Sequence, residues 1–247
     1  MLEELINKTI ERIKTIEGEP HVFFSGGKDS TVLKHIFQYN NIPCKIVYMS
    51  TSFEDPVILE HMKTHHPDVE IIYPEIDIFT LIKQKLELPS ADNMYCCKYL
   101  RIGKNFPKVK VTGRRSGEFK RRKLIVNFKD ISPKGKNVRY NPLYDWTDED
   151  ILGYIEKYNL DICQSKDHGK LLNCLICPMY TPETKLKNIE RFPEIGAKLK
   201  KCAEYCFENN KKLQEKFETS EDYWNYFINQ YLKTSKRWLE RHPEDIV

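Results

Sequence analysis

Apolar positions along the chain follow two different periods, and their alternation predicts an α/β fold. Short apolar runs predict strands at 21–24, 45–49, 69–73, 108–112 and 124–128. Helical spacing predicts helices over 2–16, 29–39, 55–66, 77–88, 95–106 and 148–158. Strands joined by crossover helices form a parallel, twisted sheet with helices on both faces.

The pattern changes towards the end of the chain. Residues 161–180 lack regular periodicity and predict an irregular loop, whereas the chain from Pro182 onward is helical and charged. We therefore expect two domains, an α/β domain at 1–180 and a helical C-terminal region at 181–247.

The most informative motif follows the first predicted strand. Residues 25–30 form a glycine-rich turn between that strand and a helix, with the members Ser25, Gly26, Gly27, Lys28, Asp29 and Ser30. Glycines let a backbone approach a phosphate, and the amides and dipole at a helix N-terminus attract anions. Lys28 adds a positive charge, while Asp29 would hold a cation or cap the helix. An ordinary strand-to-helix turn is the alternative.

Two further loops are expected at the same sheet edge, where α/β proteins bind ligands. The loop after the second strand is polar, with Ser50, Thr51 and Ser52. The loop over 112–123 is strongly basic and contains Gly113, Arg114, Arg115, Arg121 and Arg122. Arginines bind sulfate, phosphate or nucleic acid through forked hydrogen bonds. A solvated charged loop without a ligand is the alternative.

The cysteines include two close pairs. Cys96 and Cys97 are adjacent, and Cys174 and Cys177 are spaced as C-x-x-C. Adjacent thiolates fit a single zinc poorly but can bind different irons of a [4Fe–4S] cluster. A Cys₄ zinc site and four unrelated buried cysteines are the alternatives.

Composition and charge limit the expected partners and cellular compartment of the protein. The 247 residues are 40% hydrophobic and 31% charged, with a net charge of +4 that does not require a nucleic-acid partner. No apolar run predicts a membrane span, and the first residues do not resemble a secretory signal. We expect a cytoplasmic protein, in which eight cysteines favour metal binding or thiol chemistry over disulfides.

Together these motifs resemble the phosphoadenosine phosphosulfate (PAPS) reductase-like branch of the PP-loop superfamily. The resemblance spans about residues 20–180 and rests on the SGGxDS match at 25–30, Cys96–Cys97, the TGRR run at 112–115, the NPLYDWT run at 141–147 and the CxxC at 174–177. It implies a Rossmann-like PP-loop fold and an adenosine nucleotide bound at residues 25–30. We also expect residues 50–52 and Gly113 to contact this nucleotide, since they follow strands at the same sheet edge. The resemblance also implies anion contacts from Arg114, Arg115, Arg121 and Arg122.

The resemblance further implies a [4Fe–4S] cluster on the four paired cysteines, as in adenylyl-sulfate (APS) reductases and DndC-like proteins. From it we expect an ATP- and Mg²⁺-dependent enzyme of adenylation-dependent sulfur transfer. Its catalytic residues would be Lys28, Asp29, Arg114 and Arg115. The expected partners are a sulfur donor or thiol reductant protein, a nucleic acid as one candidate acceptor, and a second copy in a homodimer.

Two other functions remain open. The first is an APS or PAPS reductase, although the sequence holds no cysteine after Cys206 and lacks the nucleophilic Cys tail of those enzymes. The second is a non-catalytic nucleic-acid-binding module that uses the basic loop. It leaves the glycine-rich motif unexplained.

Overall fold

The computed structural model describes residues 2–101, 107–116, 127–131, 138–162 and 174–240. Contacts divide the chain into two compact units. The first unit comprises Met1–Met49, Asp55–Ile72 and Asn105–Asn173, and the second comprises Ser50–Glu54, Tyr73–Lys104 and Cys174–Val247. The contacts group the cysteine-bearing segments with the C-terminal helices, while a domain boundary at residue 180 stays a prediction.

The first unit contains a six-stranded sheet with the order β3-β2-β1-β4-β6-β5. The strands are β1 (His21–Phe23), β2 (Lys45–Met49), β3 (Glu70–Ile72), β4 (Val109–Val111), β5 (Lys129–Ile131) and β6 (Val138–Tyr140). Strand β1 is central and pairs in parallel with β2 and β4. The α/β fold predicted from the pattern is thus confirmed.

One edge of the sheet differs from the prediction. Strand β5 runs antiparallel to β6, so the sheet is mixed rather than wholly parallel. The predicted strand at 124–128 is not observed in its described part, residues 127–128, and its first three residues lie outside the described residues. Strands β5 and β6 have three residues each and contain charged side chains, so neither produces an apolar run.

Four helices of the first unit are α1 (Leu2–Lys14), α2 (Lys28–Tyr39), α3 (Pro56–His65) and α6 (Asp148–Tyr158). The side chain of Asp55 caps α3, and Thr147 and Asp150 form a capping box at α6. Apolar faces of α1, α2 and α6 pack with β1 and β4 in one buried cluster, while α3 packs with β2 in another. The ends of the strands are therefore supported by a rigid core.

The second unit is helical. Its helices are α4 (Ile78–Lys85), α5 (Tyr95–Arg101), α7 (Pro182–Arg191), α8 (Pro193–Asn209), α9 (Lys211–Lys216), α10 (Ser220–Asn229) and α11 (Lys236–Leu239), with a 3₁₀ turn at Leu232–Thr234. Lys185 is fully buried and donates hydrogen bonds from Nζ to the carbonyl oxygens of Phe227, Ile228 and Gln230. A buried ammonium thus satisfies carbonyls at the C-terminal end of α10.

None of the helices within the described residues combines the length and the apolar character that crossing a bilayer requires.

Candidate nucleotide and metal sites

The glycine-rich loop connects β1 to α2 in the first unit. Gly26 adopts a positive φ of 78°, a conformation that glycine tolerates without strain. Ser30 Oγ accepts a hydrogen bond from the Ser25 amide at 3.1 Å and donates one to the Gly27 carbonyl at 2.9 Å. Ser25 and Ser30 therefore fix the shape of the turn.

No side chain caps the N-terminus of α2, where Gly27 occupies the capping position. By contrast, aspartate or threonine side chains cap α3, α4, α6, α7 and α10. The amides in the first turn of an α-helix have no partners within the helix, so the start of α2 can donate to an anion.

Gly113, after β4, lies directly against this loop. A Cβ atom at position 113 would lie 2.9 Å from both the carbonyl carbon and the carbonyl oxygen of Asp29. This separation is too short for any side chain. The close approach places the segment with Arg114 and Arg115 next to the first turn of α2.

Four charged side chains form a network beside the turn. Arg115 donates from Nε to Asp29 Oδ1 at 2.5 Å and from Nη2 to Asp148 Oδ1 at 2.9 Å. Lys28 Nζ lies 2.6 Å from Asp148 Oδ1 and 3.4 Å from Asp29 Oδ1. Hydrogen bonds from Lys28 and Arg115 lower the pKa of Asp148 below its usual range. Both carboxylates are thus neutralised by two cations.

The side chains of this network differ in their exposure to solvent. The side chain of Arg115 is 2% exposed, whereas that of Lys28 is 34% exposed and that of Asp148 is 67% exposed. Arg115 also donates from Nη1 to the carbonyl oxygen of Trp146 at 3.4 Å. Arg115 therefore holds the network in place, and Lys28 is the cation that solvent reaches.

Ser50, Thr51 and Ser52 belong to the second unit. Thr51 donates from Oγ1 to the Glu54 carboxylate at 2.9 Å, and Ser50 Oγ accepts from the Ser52 amide at 3.0 Å. Thr51 Oγ1 also lies 3.8 Å from Cys174 Sγ. The predicted nucleotide contact of this segment stays a prediction, and the observed contact is with Cys174.

The four predicted metal-binding cysteines lie together in the second unit. Cys96 and Cys97 on α5 and Cys174 and Cys177 line one small cavity. Its other walls are apolar and come from Phe53, Ile78, Ile82, Pro89, Leu100, Ile176, Pro178, Leu199 and Phe227. Two segments that are distant in sequence thus bring four thiols to one site with apolar walls.

The thiols affect one another strongly. The hydrogen bond between Cys96 and Cys97 raises the pKa of Cys96 and lowers that of Cys97. Burial raises the pKa of Cys174, and it raises that of Cys177 to about 12. The positive charge of Arg101 opposes the effect of burial. It lowers the pKa of Cys97, Cys174 and Cys177 and so favours their thiolates.

The family model of the phosphoadenosine phosphosulfate reductase domain matches the sequence over residues 19–199, which include both sites. The chain belongs to this family. The resemblance predicted from the glycine-rich, basic and cysteine motifs is therefore confirmed.

Three known proteins are similar to this reductase-family chain, and they differ in sequence identity and in the share of each chain that is covered. An adenosine 5′-phosphosulfate reductase from Anoxybacillus flavithermus is 27% identical over 173 residues, covering 64% of this chain and 73% of that protein. A crystal structure of phosphoadenylyl-sulfate reductase from Candida auris, a phosphate complex, shares 12% identity at a TM-score of 0.48, covering 65% of this chain and 87% of its own. The U34-tRNA thiolase NcsA from Methanococcus maripaludis, solved with its [4Fe–4S] cluster, shares 14% identity at a TM-score of 0.44, covering 88% and 82%.

Sequence reasoning about this reductase-family chain missed two residues near the sites. Asp148 lies in the first turn of α6 and accepts hydrogen bonds from Lys28 and Arg115. Arg101 lowers the pKa of three thiols. It lies four positions after Cys97, and this helical spacing could have indicated that the two side chains are close. Arg121 and Arg122 lie outside the described residues, so their predicted anion contacts stay predictions.

Proposed function

We propose that this chain is an ATP-dependent enzyme of sulfur transfer that binds the nucleotide at residues 25–30 and a [4Fe–4S] cluster at its four clustered cysteines. The loop geometry carries the proposal. An uncapped start of α2, a Gly26 with positive φ and a partly exposed lysine together form a site for the phosphates of a nucleotide.

Lys28 is the side chain that we assign to the phosphates. Its ammonium is partly exposed and is hydrogen-bonded to the exposed carboxylate of Asp148. A phosphate carries more negative charge than this carboxylate and would compete for the same donor. Charge on the leaving pyrophosphate would then be stabilised by Lys28 and by the amides of the turn.

Arg115 has a different role in this proposal. Since it is buried and paired with Asp29 and Asp148, it positions the first turn of α2 rather than binding substrate. Arg114 is half-buried in the same segment and keeps the proposed role of an anion contact. The candidate catalytic set thus becomes Lys28 and Arg114, with Asp29 and Arg115 as positioning residues.

Mg²⁺ fits the site only together with the nucleotide. Asp29 and Asp148 are already neutralised by Lys28 and Arg115, so they do not form a preformed carboxylate site for a cation. Mg²⁺ commonly binds through phosphate oxygens and water with one or two carboxylates. We therefore expect Mg²⁺ to enter with ATP, bound by its phosphates.

The cysteine site fits an iron–sulfur cluster in three respects. It offers four thiols, its remaining walls are apolar, and Arg101 contributes positive charge that offsets the charge of thiolates. A cluster bound by all four thiolates would have no open iron position, so it would link the two cysteine-bearing segments rather than hold an additional sulfur.

The proposed reaction has two balanced steps. An acceptor oxygen attacks the α-phosphorus of ATP, the bond to the bridging oxygen breaks, and pyrophosphate leaves. A sulfur donor at the sulfide level then attacks the activated carbon or phosphorus, and AMP leaves with the oxygen. The residues at 25–30 act in the first step by binding and by stabilising charge.

A thiol-dependent APS reductase is the second candidate, and the likeness to the Anoxybacillus enzyme favours it. Its chemistry needs an accessible thiolate. Burial raises the pKa of Cys44 to about 11 and that of Cys206 to about 12, and it also raises the pKa of Cys202. Outside the four clustered cysteines, the described cysteines therefore offer no activated thiol.

One assay separates these candidates. The anaerobically reconstituted protein is incubated with ATP and Mg²⁺, and separately with APS and dithiothreitol. We expect slow pyrophosphate release from ATP, with water taking the place of the acceptor oxygen, and no sulfite release from APS. Sulfite release without pyrophosphate release would overturn the proposal in favour of the reductase.

The matched variants are Lys28→Ala and Lys14→Ala. Removing a donor to developing charge typically costs about a hundredfold or more in rate, so we expect such a loss for Lys28→Ala. Lys14 pairs with Glu11 on the surface of α1 and should leave the rate unchanged. Equal rates in the two variants would remove Lys28 from the phosphate site.

A further inference from the structure

A second cluster of metal-binding side chains lies in the first unit, on residues that the proposed function does not use. His61 and His65 are on α3, and Asp161 follows α6. One ring nitrogen from each histidine and one carboxylate oxygen of Asp161 all lie within 4.8 Å of one another. We propose that these three residues bind one divalent transition-metal ion.

The helix determines part of the geometry. Residues four apart lie on one face of a helix, and the His61 and His65 rings are stacked with their centroids 4.6 Å apart. Asp161 Oδ2 lies 3.2 Å from His65 Nδ1. A small rotation of these side chains would point three donors at a common centre.

The buried side of His61 provides an independent observation. Its Nε2 atom is buried and has no hydrogen-bond partner within the described residues. A buried polar atom without a partner costs free energy that a bond to a ligand would recover. His61 is also flanked by His66, whose ring lies at 5.2 Å in an edge-on arrangement. The position of His61 is thus fixed by packing, as a metal ligand requires.

The donor set indicates the class of ion. Two imidazoles and one carboxylate suit Zn²⁺, Co²⁺, Ni²⁺ or Fe²⁺, and they suit Ca²⁺ and Mg²⁺ poorly. His65 and Asp161 are exposed, so the remaining coordination positions open to water. The ion would link α3 to the segment after α6, which are far apart in sequence.

Cobalt provides a direct test because its spectrum reports the ligand type. The cluster-loaded protein is titrated anaerobically with Co²⁺, alongside the variants His65→Gln and Asp161→Asn, which are exposed and should fold normally. His21→Gln is the matched control, since His21 lies on β1 and outside the triad. We expect one Co²⁺ per chain in the wild type, and the difference spectrum against the cobalt-free protein should show ligand-field bands but no intense sulfur-to-cobalt band.

Even loss of an outer partner of a metal ligand costs about 10- to 100-fold in affinity, so each triad variant should lose at least tenfold. The control should retain wild-type affinity. The proposal is overturned if the triad variants bind Co²⁺ as the wild type does, if the spectrum shows thiolate ligation, or if no stoichiometric binding occurs.

Discussion

The glycine-rich loop and the cysteine site are built in opposite ways. The loop uses consecutive residues, and its binding groups are main-chain amides at the start of α2 together with one lysine. The cysteine site uses thiols from two separate segments, enclosed by apolar walls. One site depends on local backbone conformation and the other on the packing of helices.

This difference predicts how each site fails. A change of backbone conformation at the loop should impair anion binding while the helical core stays intact. Loss of one ligand at the cysteine site should abolish metal binding, because the remaining thiols cannot complete the set.

Cys177→Ser should abolish the cluster. The wild type, reconstituted anaerobically, should carry four irons and absorb broadly in the visible range, as expected for a cluster bound by four thiolates. The variant should lose both signals in iron analysis and in the absorption spectrum. Cys202→Ala, in the same unit, should retain them, and a colourless wild type with stoichiometric zinc would contradict the assignment.

Gly113→Ala should disrupt the loop. The added Cβ would lie 2.9 Å from the Asp29 carbonyl group, which is backbone and cannot move aside easily. We expect a loss of about 1–3 kcal/mol in unfolding free energy, measured in urea, together with weaker ATP binding. Normal ATP binding by the variant would contradict the claim that this site depends on local backbone conformation.

Gly153→Ala is the matched control for that change. Gly153 lies within α6, and its new Cβ would meet Leu2 at an ordinary 3.7 Å. Alanine is favoured over glycine in helices by about 0.5–1 kcal/mol. This variant should therefore be slightly more stable, with unchanged ATP binding.

Lys185→Met tests the helical unit without touching a cysteine. The change removes the donor to three carbonyl oxygens, at Phe227, Ile228 and Gln230. Buried acceptors left unpaired cost about 1–3 kcal/mol, so urea denaturation should show a loss in that range. Lys200→Met, which removes an exposed pair with Glu221, should cost less than about 1 kcal/mol.

Asp145→Asn should have the smallest effect and should depend on pH. Burial alone would raise the pKa of Asp145, but hydrogen bonds from Arg12 at 2.6 and 2.5 Å outweigh burial and lower it. The pair therefore contributes stability above the unfolded-state pKa of about 3.9, and this contribution is lost as pH falls through the lower folded-state value.

The variant should thus be about 1 kcal/mol less stable than wild type at pH 7, since asparagine keeps one acceptor for Arg12. The difference should shrink below about pH 4. A difference that stays constant from pH 7 to pH 3 would show that the ion pair contributes nothing to it. Urea denaturation at both pH values measures this.

Much of the fold could be predicted because the relevant information is local. Strand β2 and helix α6 were predicted at their observed residues, since one is a continuous apolar run and the other begins with a threonine cap. Strands β5 and β6 escaped prediction because they are short and charged. Their pairing depends on position in the sheet, which no local pattern encodes.

The candidate sites show the same limit. The turn at 25–30 could be predicted from six consecutive residues, but the burial of Arg115 could not. Its carboxylate partners are 86 and 33 residues away in sequence, and a basic run gives no indication of them. The grouping of the four cysteines was predicted from their spacing and the family resemblance, and the contribution of Arg101 was not.

In the segment after β2, a residue predicted to contact the nucleotide lies against a cysteine. Thr51 Oγ1 contacts Cys174 Sγ, and the carbonyl oxygen of Phe53 accepts a hydrogen bond from the Leu175 amide at 2.8 Å. Movement of Thr51 would therefore alter the surroundings of that sulfur. A spectroscopic probe of Cys174 would register what happens to this short stretch of backbone, whichever ligand causes it.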